Sequence, residues 1–249
     1  MLNRSSIKTF FIILISIASL HASDEISKQI WGNIVLGSMA SNKVHTELDF
    51  EPKVQVSGQE EWRNIDVTPL VEYFPNRWID LTAEMVIGYT KQTNDVKSYE
   101  FSPRLGIRFH IFGNIRQYLP EYKYFDFSRF DLSSLFRYEY RSLWFNDKDS
   151  EQQSRLRVRL ESKIAFNHVN LSSDDTYYLF ADVEGYFNIG EDIEEVFSNK
   201  ARGRIGPGYR YDDKHIFELL MIYDYAKNTI EDESRHDAIA INFRYKIFY

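Results

Sequence analysis

Between Ser154 and Ser162 the chain reads SRLRVRLES, with Arg155, Arg157 and Arg159 at alternate positions and Leu156, Val158 and Leu160 among them. Successive side chains of a strand point to opposite faces, so this spacing predicts a β-strand with guanidiniums on one face and an apolar row on the other. The alternation recurs. In SPRLGIRFHIF (Ser102 to Phe112), Pro103, Leu105, Ile107, Phe109 and Ile111 oppose Arg104, Arg108 and His110. In DAIAINFRYKIFY, Ile239, Ile241, Phe243, Tyr245, Ile247 and Tyr249 oppose Ala238, Ala240, Asn242, Arg244 and Lys246. Similar runs occupy about residues 44–57, 62–75, 78–91, 132–145, 176–189, 198–212 and 214–227, with a less regular one at 30–40. Helical spacing is scarce, and the mature chain reads as nearly all β. Pro69, Pro103 and Pro207 fall inside these runs and weaken them, since proline removes a ladder donor.

PNR (Pro75 to Arg77) and YDDK (Tyr211 to Lys214) suit tight hairpins, and NDKDSEQQ is a longer polar loop, so neighbouring strands are predicted antiparallel. No linker or low-complexity tract divides the chain, which reads as one domain. The runs number eleven, whereas a bacterial single-chain barrel normally has an even number of strands with both ends periplasmic. Either Arg116 to Asp131 hides a twelfth strand, or the segment at 30–40 does not span and ten remain. Counting back from a periplasmic Tyr249 puts NDKDSEQQ, GEDIEEVF and NTIEDES outside and YDDK in the periplasm. Three acidic loops then share one side.

The chain has 249 residues and a formal net charge of −7, which argues against nucleic acid as a partner. Residues 1–22 have the layout of a secretory signal peptide: Arg4 and Lys8, an apolar run from Phe10 to Leu20, and small residues at Ala22 and Ser23. The run is too short for a spanning helix. Residues 23–249 form the mature domain. There is no cysteine, which removes disulfides and thiolate metal sites. The mean hydropathy of −0.43 looks soluble, but spanning strands show only half their side chains to lipid and give a weak signal.

Alternation alone does not say which face is inside. A soluble exported lipocalin-like barrel puts its apolar face inward; an outer-membrane barrel reverses this. The runs are long enough for tilted spans. The 17 tyrosines and 19 phenylalanines cluster near run ends, as interfacial girdles do. The final Tyr245, Ile247 and Tyr249 resemble the signal by which the last strand engages the bacterial barrel-assembly machinery. The expected fold is therefore an all-β, antiparallel, up-and-down transmembrane β-barrel of ten to twelve strands in the bacterial outer membrane, with outer-membrane lipid against Ile107, Phe109, Leu156, Leu160, Ile239 and Phe243.

Trp31, RLRVRLES, FADVEGYFN, RGRIGPGYRY and AIAINFRYKIFY together resemble an uncharacterised bacterial family, domain of unknown function 2490. The resemblance implies an outer-membrane β-barrel without an assigned activity.

Catalytic patterns are weak. NHVNLSS brings His168 near Ser172 and Ser173, but in a predicted turn without a positioned acid. RHD (Arg235 to Asp237) has consecutive residues that a strand would turn to opposite faces. GRIGPG suits close packing better than a phosphate loop. No enzyme activity, metal or cofactor is expected.

If the apolar rows face lipid, the lumen is lined by Arg104, Arg108, Arg137, Arg141, Arg155, Arg157, Arg159, Arg202 and Arg204, together with Glu72, Glu84, Glu161 and Glu184. Acids dominate the strands from 44 to 91 and arginines those from 98 to 163. Opposed walls of this kind would suit a narrow, porin-like channel for small polar or charged solutes. The same residues could instead fill the lumen with salt bridges and leave a structural barrel.

Overall fold

The computed structural model describes residues 26–57, 62–92, 95–112, 129–190, 193, 197–229, 234–235 and 237–249. The expected signal peptide lies outside the described residues. The strands are β1 (Ser27–Ser41), β2 (Val44–Ser57), β3 (Arg63–Asn76), β4 (Ile79–Lys91), β5 (Lys97–Phe112), β6 (Phe130–Phe145), β7 (Glu151–Ala165), β8 (Thr176–Ile189), β9 (Ser198–Arg210), β10 (His215–Asn228), the two-residue β11 (Ser234–Arg235) and β12 (Ala238–Phe248). Each long strand coincides with a period-two run of the sequence.

Sequential long strands pair antiparallel from β1 through β10, and β10 pairs β12. The sheet then closes by parallel pairing of β1 with β12, from Ser27 opposite Ala238 to Gly37 opposite Phe248. The result is a closed barrel of eleven long strands, and this corrects the even count. The segment at 30–40 is part of a full strand, while residues 113–128, which hold most of the proposed twelfth, lie outside the described residues. An up-and-down walk of eleven strands leaves the first and last pointing the same way, so only a parallel pair can seal it. At that seam a Cβ on Gly37 would come 2.6 Å from the Phe248 ring, so glycine permits the close approach.

Prolines inside strands cost less than the sequence suggests. Pro52, Pro69, Pro103 and Pro207 each fall in a gap of the ladder on one side and keep a partner on the other: Ile65, Leu48, Met85 and Leu179 respectively. The missing N–H therefore interrupts one ladder and leaves its neighbour continuous.

Alternating strand direction sorts the connections to two ends. Tyr249 and the connections β1–β2, β3–β4, β5–β6, β7–β8 and β9–β10 share one end, where Asp212 Oδ1 accepts from the backbone N–H groups of Lys214 and His215. Ser27 lies at the other, the acidic end, with the connections that follow β2, β4, β6, β8 and β10.

The outer face is apolar. Leu105 is 66% exposed, Phe243 54%, and Leu156 and Leu160 44% each. Exposed aromatics mark both ends: Tyr73, Trp78, Tyr177 and Tyr211 towards Tyr249, and Tyr99, Trp144 and Tyr225 towards the acidic end. The alternate residues point inward and are mostly polar, many of them charged. An apolar cluster of Ala165, Leu171, Tyr178, Ile216, Leu220 and Phe248 packs inside the barrel towards the Tyr249 end.

Candidate functional site: a charged lumen

Period two fixes which side chains of β5, β6 and β7 enter the lumen, and antiparallel register fixes which of them meet. Arg155 stands opposite Glu139, and Arg159 opposite Glu184. Glu139, fully buried, is the hub: Arg155 donates to Oε2 at 2.7 Å, Arg157 to Oε1 at 2.7 Å, and Arg104 Nε lies 3.1 Å away. Arg157 also donates to Glu184 at 2.8 Å, and Arg159 Nε at 3.1 Å. The guanidiniums of Arg155 and Arg157 lie over the Tyr186 ring, 4.9 and 4.8 Å from its centroid. Three like charges tolerate this proximity because carboxylates on both neighbouring strands share them.

The pattern continues around the wall. Arg137 meets Glu84 at 3.0 Å, Arg141 meets Glu100 at 2.8 Å, and Arg108 meets Glu72 at 2.9 Å and Asp80 at 3.3 Å. Arg202 pairs with Asp224, Arg204 with Asp182, Lys163 with Glu161, and Arg244 with Glu218. Tyr178 reaches Glu218 with its hydroxyl at 2.7 Å. A Cβ on Gly208 would come 2.2 Å from that ring, so this part of GRIGPG serves close packing.

The opposite side of the lumen is different. On β1, β2 and β3, Asn33 donates to Asp49 at 3.1 Å and Lys53 bridges Glu51 and Asp66 at 2.8 Å each. Asn33 Oδ1, Asp49 Oδ1, Gln55 Oε1 and Asn64 Oδ1 are buried acceptors without a protein donor.

Between the walls lies a cavity of about 330 Å³ that takes lining residues from all eleven long strands. Arg104, Arg108, Arg137, Arg141, Arg155, Arg157, Arg159, Arg202, Arg204, Glu72, Glu84 and Glu161 line it. Glu184 sits behind them, 3% exposed, holding Arg157 and Arg159. Glu100, Lys53 and Asp224 line the cavity as well, beyond the residues expected there, although alternation from Arg104, Glu51 and Glu218 leads to each. Trp31 was not expected in the lumen; its indole is buried there, with Lys53 and Arg202 each 4.9 Å from its centroid.

His168 is exposed on the β7–β8 turn, and the nearby Ser172 hydroxyl is taken by Asn170 Oδ1 at 2.7 Å. Of RHD, Asp237 accepts from the Tyr223 hydroxyl, and His236 lies outside the described residues. Among the described residues no group of three or more His, Asp or Glu side chains is arranged to hold a metal.

A family model described as Protein of unknown function (DUF2490) matches residues 28–235. The chain belongs to the DUF2490 family. The match takes in β1 through β11, and β12 of this DUF2490 barrel lies beyond it. No curated protein matches. A solved structure titled as the NanC porin in a rhombohedral crystal form is similar at 10% identity and a TM-score of 0.40, covering 88% of the DUF2490 chain and 98% of its own.

Proposed function

We propose that this protein is a non-catalytic outer-membrane β-barrel, exported through a signal peptide removed near Ala22, whose lumen is a narrow passage for small polar or charged solutes. The carrying observation is the polar cavity of about 330 Å³ inside a wall with an apolar exterior. Lipid against Leu105, Leu156, Leu160 and Phe243 removes that exterior from water, and the charged interior keeps water and solutes in the lumen. Tyr249 belongs on the periplasmic side, where the last strand is presented to the assembly machinery, and the acidic end faces outward. His168 and Ser172 sit on a turn away from the lumen, which offers a hydrolase no pocket.

A second reading has its own support. The arginines of β5, β6 and β7 all meet carboxylates, and apolar side chains pack towards the Tyr249 end; both features suit a structural barrel with a filled lumen. Proteoliposome swelling separates the two. Vesicles carrying the folded barrel should swell in small zwitterions and pentoses, and more slowly as solute size grows. A folded, inserted barrel that supports no swelling with any of them would overturn the passage and leave the structural barrel.

A further inference from the structure

At the acidic end, Trp62 and Phe197 meet edge to face, with ring centroids 5.2 Å apart and planes at 74°. Their places in the barrel give this contact its meaning. Trp62 immediately precedes β3 and Phe197 immediately precedes β9, and these strands lie on opposite walls: β4 through β8 separate them one way round, and β2, β1, β12 and β10 the other way. No strand pairing brings them together, so the two rings meet across the mouth of the lumen. Both line its cavity.

Each ring has an anchored base. The Trp62 carbonyl accepts from the Gln55 N–H at 2.9 Å, and Ser198, which follows Phe197, is 3% exposed at the start of β9. Immediately inside, Asn64 and Asn199 begin the polar wall. A solute entering from the acidic side thus passes two apolar rings set among polar groups of the mouth such as Gln92 and Ser98. Hydrophobic constrictions hinder passage by excluding water from the narrowest point, and an edge-to-face ring pair is weak enough to part.

We propose that Trp62 and Phe197 form a hydrophobic constriction across the acidic mouth and set the rate at which solutes enter the lumen. This rests on the passage proposed above. The test is single-channel recording in planar bilayers with the full mature barrel, using Trp62→Ala and Phe197→Ala, with Trp78→Ala in the exposed β3–β4 turn at the other end as control. The first two should raise conductance severalfold, and the control should leave it unchanged. Because the chain has no cysteine, a W62C/F197C double variant can also be bridged with a short bifunctional thiol reagent. Bridging should succeed within one folded chain and reduce conductance. Failure to bridge in the folded barrel would overturn the contact. Equal conductance of wild type and both alanine variants would remove the constriction while the passage stands. If neither wild type nor variants conduct, passage and constriction fall together.

Discussion

Strands β5 to β7 and strands β1 to β3 both turn polar faces to the lumen, but they use them differently. On the first wall, guanidiniums and carboxylates are matched across registers, with Glu139 shared by Arg104, Arg155 and Arg157. On the second, Asp49 is held by the neutral Asn33 amide, while buried polar atoms without a protein partner occur on both walls, Asn64 Oδ1 here and Ser102 Oγ and Asp131 Oδ1 there. A wall whose charges are spent on one another holds the barrel's shape and contributes little unscreened field. A wall held by neutral amides loses less when one of its charges is removed. The arginines that draw attention in the sequence are therefore the more tightly ion-paired half of the lumen, and the quieter amide and carboxylate face is the less tightly paired one.

The largest effect should come from breaking the hub. Glu139→Ala strips buried guanidiniums of their shared partner and should cost about 3–5 kcal/mol, the penalty for an uncompensated buried charge, read from urea unfolding of the barrel in lipid vesicles. A loss below about 1 kcal/mol would mean that water already serves these arginines. Next, Leu160→Arg, on the outer face of β7, should cost about 2–4 kcal/mol in the same measurement if that position lies near the bilayer midplane. Smaller again is Gly208→Ala, which drives a methyl into the Tyr178 ring and should cost about 1–3 kcal/mol by overpacking. The smallest stability change belongs to the less tightly paired wall. Asp49→Asn preserves shape and should shift unfolding by about 1 kcal/mol or less, yet move ionic selectivity towards anions in bilayer recordings. Equal destabilisation by Asp49→Asn and Glu139→Ala would erase the distinction between the walls.

Much of this was readable from the chain because a strand's period is two and charge marks one face. SRLRVRLES sorts the side chains of β7 to two faces without reference to any other residue, and the same rule carries β5 and β12. The parity argument failed at 30–40 because alternation identifies a strand and its faces but not the direction of its partner, and the closing pair of β1 and β12 is parallel. Interior apolar residues were hidden for another reason. TYYLFADVEGYF and HIFELLMIYDY carry large apolar groups on both faces, so nothing local distinguishes buried Phe180, Leu220 and Ile222 from their lipid-side neighbours. Ion-pair connectivity depends on register between strands, which is why Glu184 was expected on the lumen surface and lies behind the arginines. The meeting of Trp62 with Phe197 depends on closure of the whole ring, and no local pattern encodes it.

The central claim is that water fills the inside of this barrel and lipid covers its outside, and the cysteine-free chain allows it to be read one position at a time. Thr68 lines the cavity from β3, whereas Leu160 is exposed on the outer face of β7. Thr68→Cys and Leu160→Cys should be folded separately into lipid vesicles and treated with a small, charged, membrane-impermeant thiol reagent. The account predicts rapid labelling of Thr68→Cys and protection of Leu160→Cys. Labelling of Leu160→Cys with protection of Thr68→Cys would contradict it.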